Sequence, residues 1–121
     1  MRIRFIAAAA GLIGSVALMQ PAWAHAFLSK ASPAVGSEVA GSPPSLTLFY
    51  TEPVEPLFCT VQVTDWNGTT VSDGKPVPQA DGRILVVRLK TLPPGVYSVT
   101  WHVTSVDTHK TDGRFSFTVK P

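Results

Sequence analysis

Val96-Tyr97-Ser98-Val99-Thr100-Trp101-His102-Val103-Thr104 decides the fold class. Tyr97, Val99, Trp101 and Val103 share one parity, while Ser98, Thr100, His102 and Thr104 share the other. Successive side chains of a strand point to opposite faces, so this alternation predicts a half-buried strand. Outward from it, shorter runs of the same kind stand at 46–50, 59–64, 84–89 and 115–119, after a first extended piece at about 26–31. Turn residues punctuate them: Ser42-Pro43-Pro44, Asn67-Gly68, Asp73-Gly74, Asp81-Gly82 and Pro93-Pro94-Gly95. The segment 71–81 reads as an exposed loop excursion. No window repeats apolar residues at helical spacing, and ten of the 11 prolines follow residue 24. Six or seven short strands suit an immunoglobulin-like Greek-key sandwich or a small barrel. Its core has Phe27, Phe49, Tyr50, Phe58, Trp66, Tyr97, Trp101, Phe115 and Phe117 to draw on, each contributing roughly 2–3 kcal/mol if buried.

The start of the chain has a different character. Arg2 and Arg4 precede an apolar stretch from Phe5 to Met19, and Ala22 and Ala24 stand where a signal peptidase requires small residues. The stretch is short of the roughly 20 apolar residues of a membrane span. Residues 1–24 are therefore expected to be a cleaved signal peptide, leaving 25–121 as one exported, soluble domain. The 121 residues carry 10 Lys+Arg against 8 Asp+Glu, which excludes a nucleic-acid binder driven by bulk charge. Loss of Arg2 and Arg4 brings even that excess to zero. The single Cys excludes an internal disulfide and any Cys-rich zinc or iron–sulfur site. Both methionines, Met1 and Met19, leave with the signal. Cleavage also makes His25 the first residue, with a free α-amine beside its imidazole.

That amine and the ring Nδ1 could chelate one metal ion; the competing reading is a frayed terminus that happens to begin with His. Asp107 and His109 are two apart, so in extended chain they offer a carboxylate and an imidazole to the same side. Continued alternation would bury both, which is costly without partners; the strand should end or bulge near Ser105 and put the pair at a sandwich edge. The plainer reading is a turn capped by Asp107. Together with His25 they would form an N, N, N, O set, and a tetragonal site of that kind favours Cu(II). His102, on the polar face, reads as a solvent-exposed strand residue. Cys59 lies in the apolar run from Leu57 to Val63 and reads as a small buried hydrophobe. Glu52, just after a strand, could face solvent or support a site. There is no phosphate loop, no G-x-S-x-G and no H-E-x-x-H.

Several motifs in order then carry a resemblance. They are His25-Ala26, Ser32-Pro33-Ala34-Val35-Gly36, Leu48-Phe49-Tyr50-Thr51-Glu52-Pro53-Val54, Leu92-Pro93-Pro94-Gly95-Val96-Tyr97-Ser98-Val99-Thr100-Trp101, Ser105-Val106-Asp107-Thr108-His109 and Gly113-Arg114-Phe115-Ser116-Phe117-Thr118-Val119. Over 25–121 the chain resembles the CopC family of periplasmic copper-binding proteins. The resemblance implies a seven-stranded Greek-key β-sandwich binding Cu(II) through the His25 amine and Nδ1, a His109 imidazole nitrogen and an Asp107 oxygen. Glu52 matches an acidic residue near that site and is carried over as a supporting group. A monomer in copper resistance or homeostasis is implied, passing copper to an inner-membrane transporter. Some members hold Cu(I) in a Met-rich loop; the corresponding stretch here, Asn67 to Asp81, has no Met, so no such site is expected. Two other classes compete: a copper-dependent oxidative enzyme of the histidine-brace type, and a metal-free immunoglobulin-like interaction module.

Overall fold

The structure is a computed structural model and describes residues 25–121; the expected signal peptide lies outside the described residues. Two four-stranded sheets face each other. One takes the order β1-β3-β6-β5, from β1 (Leu28–Ser32), β3 (Ser45–Tyr50), β6 (Ile84–Leu89) and β5 (Ser72–Gln79). The other takes the order β2-β8-β7-β4, from β2 (Glu38–Ala40), β8 (Lys110–Lys120), β7 (Gly95–Thr104) and β4 (Thr60–Thr64). All pairs are antiparallel except β2 with β8. Among the described residues the only helical turns are short 3-10 pieces at Pro56–Phe58 and Ala80–Gly82. Among the described residues no helix is long and apolar enough to cross a membrane.

The alternation in β7 works as the sequence predicts. Tyr97, Val99, Trp101 and Val103 are buried, and they meet Leu46, Leu48 and Tyr50 of β3 and Leu85 and Val87 of β6 in one core. Tyr97 stacks on Phe117, its register partner on β8, at 5.7 Å between centroids. Trp101 sits across from Gly113, where a Cβ would stand 2.5 Å from the indole ring. That glycine is there for space. Tyr50 packs against the same indole edge-on at 5.4 Å.

Two expectations are corrected. The presumed loop at 71–81 holds an edge strand, β5, whose register against β6 shifts between Asp73 and Val77. Pro76 and Pro78 fit there because an edge strand need not donate on its outer side. Of the aromatics offered to the core, Phe27, Phe58 and Trp66 are exposed instead. Each lies in a turn or connection rather than on the inner parity of a strand.

One end of the sandwich is drawn together by links between the sheets. Val54, just past β3, bridges Ser105, just past β7. The Glu55 N–H donates to the Thr104 carbonyl at 2.8 Å, and the Val106 N–H to the Pro53 carbonyl at 3.1 Å. Because Leu28 of β1 pairs with Tyr50 of β3, the residues before β1 arrive at the same end.

Candidate metal centre

At that end β7 turns into β8 through Ser105–His109. The Ser105 N–H donates to the His109 carbonyl at 2.8 Å, and the Thr108 N–H to the Ser105 carbonyl at 2.8 Å. Thr108 takes φ 73°, so the loop has the left-handed third residue of a three-residue hairpin. The strand thus stops where the cost of burying Asp107 and His109 requires it to stop. Ser105 still follows the core parity of Val103 and is 2% exposed, the one buried polar residue among those described. Its hydroxyl donates to Asp107 Oδ1 and accepts the His109 N–H at 3.2 Å. Asp107 Oδ1 also faces His109 Nδ1 at 3.3 Å. The Ser105 hydroxyl, with His109 adding to it, holds the Asp107 carboxyl below the usual carboxylate range.

The approach of the N-terminal segment is equally determined. Ala26 is fully buried, and its carbonyl accepts from Thr111 Oγ1 of β8 at 2.6 Å. Thr51 Oγ1 accepts the Phe27 N–H at 3.0 Å and donates to the His25 carbonyl at 3.2 Å. The Thr51 N–H returns a bond to the Phe27 carbonyl at 2.9 Å. Residues 25–27 are therefore fastened from both sheets. The His25 imidazole stacks on that of His109, centroids 4.6 Å apart, and the Phe27 ring lies tilted to it at 5.8 Å.

The structure thus brings His25 to His109 and His109 to Asp107. In the stacked arrangement no three His, Cys, Asp or Glu side chains among the described residues converge as a metal-holding group. Stacked rings present their faces to one another, so convergence of nitrogens needs the His25 ring to turn. Glu52 is half-buried and shares a concavity of about 190 Å³ with Pro53, Ser105, Val106 and Asp107, on the flank of the site. His102 is exposed on the outer face of its sheet, between Thr60 and Asp112 of the neighbouring strands. Cys59 is buried, donates to the Glu55 carbonyl at 3.1 Å, and has its thiol pKa pushed up by burial. Sequence reasoning missed Thr51 and Thr111 as fasteners and Ser105 as a hub. For Ser105 a signal existed, a hydroxyl on the core parity just before an Asp and a His; the threonines had none.

A two-sheet, all-β sandwich with a His–His–Asp corner at one end defines a narrow class of domain. Residues 28–120 match the family model described as the CopC domain, and the chain belongs to the CopC family. It is 37% identical over 100 residues to Protein YobA of Escherichia coli (strain K12), covering 81% of each. It is 34% identical over 110 residues to the copper transport protein CutJ of Bacillus subtilis (strain 168), covering 89% of this chain and 20% of that one. The crystal structure of PcoC, a methionine-rich copper resistance protein from Escherichia coli, superposes with a TM-score of 0.72. That pair is 32% identical over 80% of this chain and 100% of that one.

Proposed function

We propose that this protein is a periplasmic Cu(II)-binding protein that captures the ion at the His25–Asp107–His109 corner and passes it to an inner-membrane copper transporter. The observation that carries the reading is the approach of His25 to a His109 that already faces Asp107. Cleavage after Ala24 would add the α-amine and complete three nitrogens and one oxygen, donors suited to tetragonal Cu(II). Ser105 presets Asp107 and His109, so capture asks only the His25 ring to swing out of its stack. Glu52 supports the flank without being a ligand. Relatives named for copper transport and copper resistance favour the same cargo. That a domain like this one makes up 20% of a copper transport protein favours delivery to a transporter.

The carboxylate of Asp107 would fill a strong ligand position that an oxidative copper enzyme leaves open, so binding rather than catalysis is the role. The test is a Cu(II) titration of the processed protein followed by electron paramagnetic resonance, with zinc as competitor. One tetragonal Cu(II) with nitrogen hyperfine structure, absent in His25→Ala, is expected. Equal binding by His25→Ala, or displacement by equimolar zinc, would overturn the proposal.

A further inference from the structure

Thr111 lies two residues beyond His109 on β8, and its hydroxyl donates at 2.6 Å to the carbonyl of Ala26, the residue after His25. The bond joins positions 85 apart in sequence. It ties the segment carrying His25 directly to the strand continuing from His109. Ala26 is fully buried, so its carbonyl has no water to fall back on, and a bond to such a group is costly to lose. We propose that Thr111 is a positioning residue for metal capture: it fixes the main chain of residue 25 at the distance from His109 that a shared ion requires. This rests on the copper reading above.

Main-chain placement matters here for a specific reason. Two of the four proposed donors, the α-amine and the imidazole, belong to residue 25, and the amine has almost no reach of its own. A side-chain ligand can recover an ångström by changing rotamer; an amine must be delivered by the backbone. Thr51 fastens the same segment from the other sheet, but it is solvent-exposed, so water can replace its bonds. Thr111 is half-buried and holds the fully buried partner. The two hydroxyls are therefore unequal, and Thr111 is the stronger.

The experiment uses the full chain, exported and processed, with its N-terminus read by mass spectrometry. Cu(II) affinity is measured by chelator competition for wild type, Thr111→Val, Thr111→Ser and His25→Ala, and for a protein with one residue added before His25, with and without Thr111→Val. Thr111→Val keeps the shape and removes the donor; it should bind about tenfold more weakly, within the range for groups that support metal ligands. Thr111→Ser restores the hydroxyl and should recover to within about twofold, the margin for independent effects. In the protein with one residue added before His25, where the amine has become an amide, Thr111→Val should cost no further affinity, because the donor it positions is gone. Circular dichroism melts accompany each variant, and an unfolded Thr111→Val is replaced by Thr111→Ala. Unchanged affinity in the folded hydroxyl-free variant overturns the inference, and so does an undiminished loss in the protein extended before His25. If His25→Ala itself binds like wild type, the copper reading falls with it.

Discussion

The imidazole of His25 lies over that of His109, ring centroids 4.6 Å apart and planes inclined by 30°. Stacking of this kind parks the first residue of the proposed mature chain beside its proposed partner ligand. It does not yet aim the nitrogens of both at one point. The remaining motion is a rotation of one side chain, small against the cost of ordering a free terminus. The backbone work is already complete, through Ala26 in the core and the hydroxyls of Thr51 and Thr111.

The amine of His25 is expected to be a ligand in its own right. Adding one residue before His25 leaves the imidazole but converts the amine to an amide. Cu(II) binding should weaken by more than about 100-fold, beyond what loss of a supporting group costs, while the far-ultraviolet spectrum stays unchanged. An extended protein that binds as tightly as the processed one would put the site elsewhere.

Asp107→Ala and His109→Ala should each lower Cu(II) affinity by more than about tenfold, whereas His102→Ala should leave it within about twofold, as a distant independent position does. His102 and His109 carry the same donor nitrogens, so their comparison tests placement and not chemistry. His102 stands on the outer face of the sheet, away from the hairpin. A larger effect at His102 than at His109 would mean that the wrong face was chosen.

That face was legible from the sequence because the period of β7 runs unbroken from Tyr97 to Val103 and the core follows it. The break at Ser105 was legible too, since two ionisable groups on the inward parity have no cheap alternative. The edge strand β5 was not. It has no buried face to impose a period on its residues, and its prolines, glycine and charges resemble those of a loop. Thr51 and Thr111 were hidden for another reason: they act through backbone carbonyls and amides 24 to 85 residues away, and a hydroxyl in a threonine-rich sandwich announces no such partner. The exposed Phe58 and Trp66 show the limit of composition, because an aromatic enters the core only if its strand parity carries it there.

Ser105→Ala should act on stability, on copper and on a titration together. It takes a hydrogen bond from Asp107 and an acceptor from the His109 N–H, one of them inside the fold, for a loss of about 1–2 kcal/mol. Ionised Asp107 stabilises the fold above the ordinary carboxylate range, and that contribution is lost as pH falls through its lowered folded value. Removing the Ser105 hydroxyl should raise that folded value toward the ordinary one and flatten the acid limb of the stability profile. Carboxyl-carbon magnetic resonance across an acid titration measures it. An Asp107 that titrates identically in both proteins would remove Ser105 from its role as hub.

Gly113→Ala tests the core where two strands meet over an indole. The added Cβ would stand 2.5 Å from the Trp101 ring, and moving that ring disturbs Tyr50, edge-on beside it. Overpacking of this kind should cost about 1–3 kcal/mol, seen as a lower melting temperature with a shift in tryptophan emission. Unchanged stability would show that the space beside Gly113 is not needed.

Reduction of the bound ion should release it. The proposed donors are imidazole, amine and carboxylate, whereas Cu(I) favours thioether and thiolate. Met1 and Met19 are the only methionines and precede the described domain. The one soft donor left, Cys59, is buried, engaged with the Glu55 carbonyl, and has a thiol pKa raised by burial, so the thiolate that would hold Cu(I) is disfavoured. Protons act in the same direction as electrons, because copper binds only deprotonated amine and imidazole, so occupancy should also fall in acid. Paired titrations of Cu(II) and Cu(I) against competing chelators, at neutral and acidic pH, read both effects. Cu(II) should bind far more tightly than Cu(I) at neutral pH and lose ground on acidification. Cu(I) held as firmly as Cu(II) would demand a soft site, and Cys59→Ser in the same titration would show whether the thiol provides it.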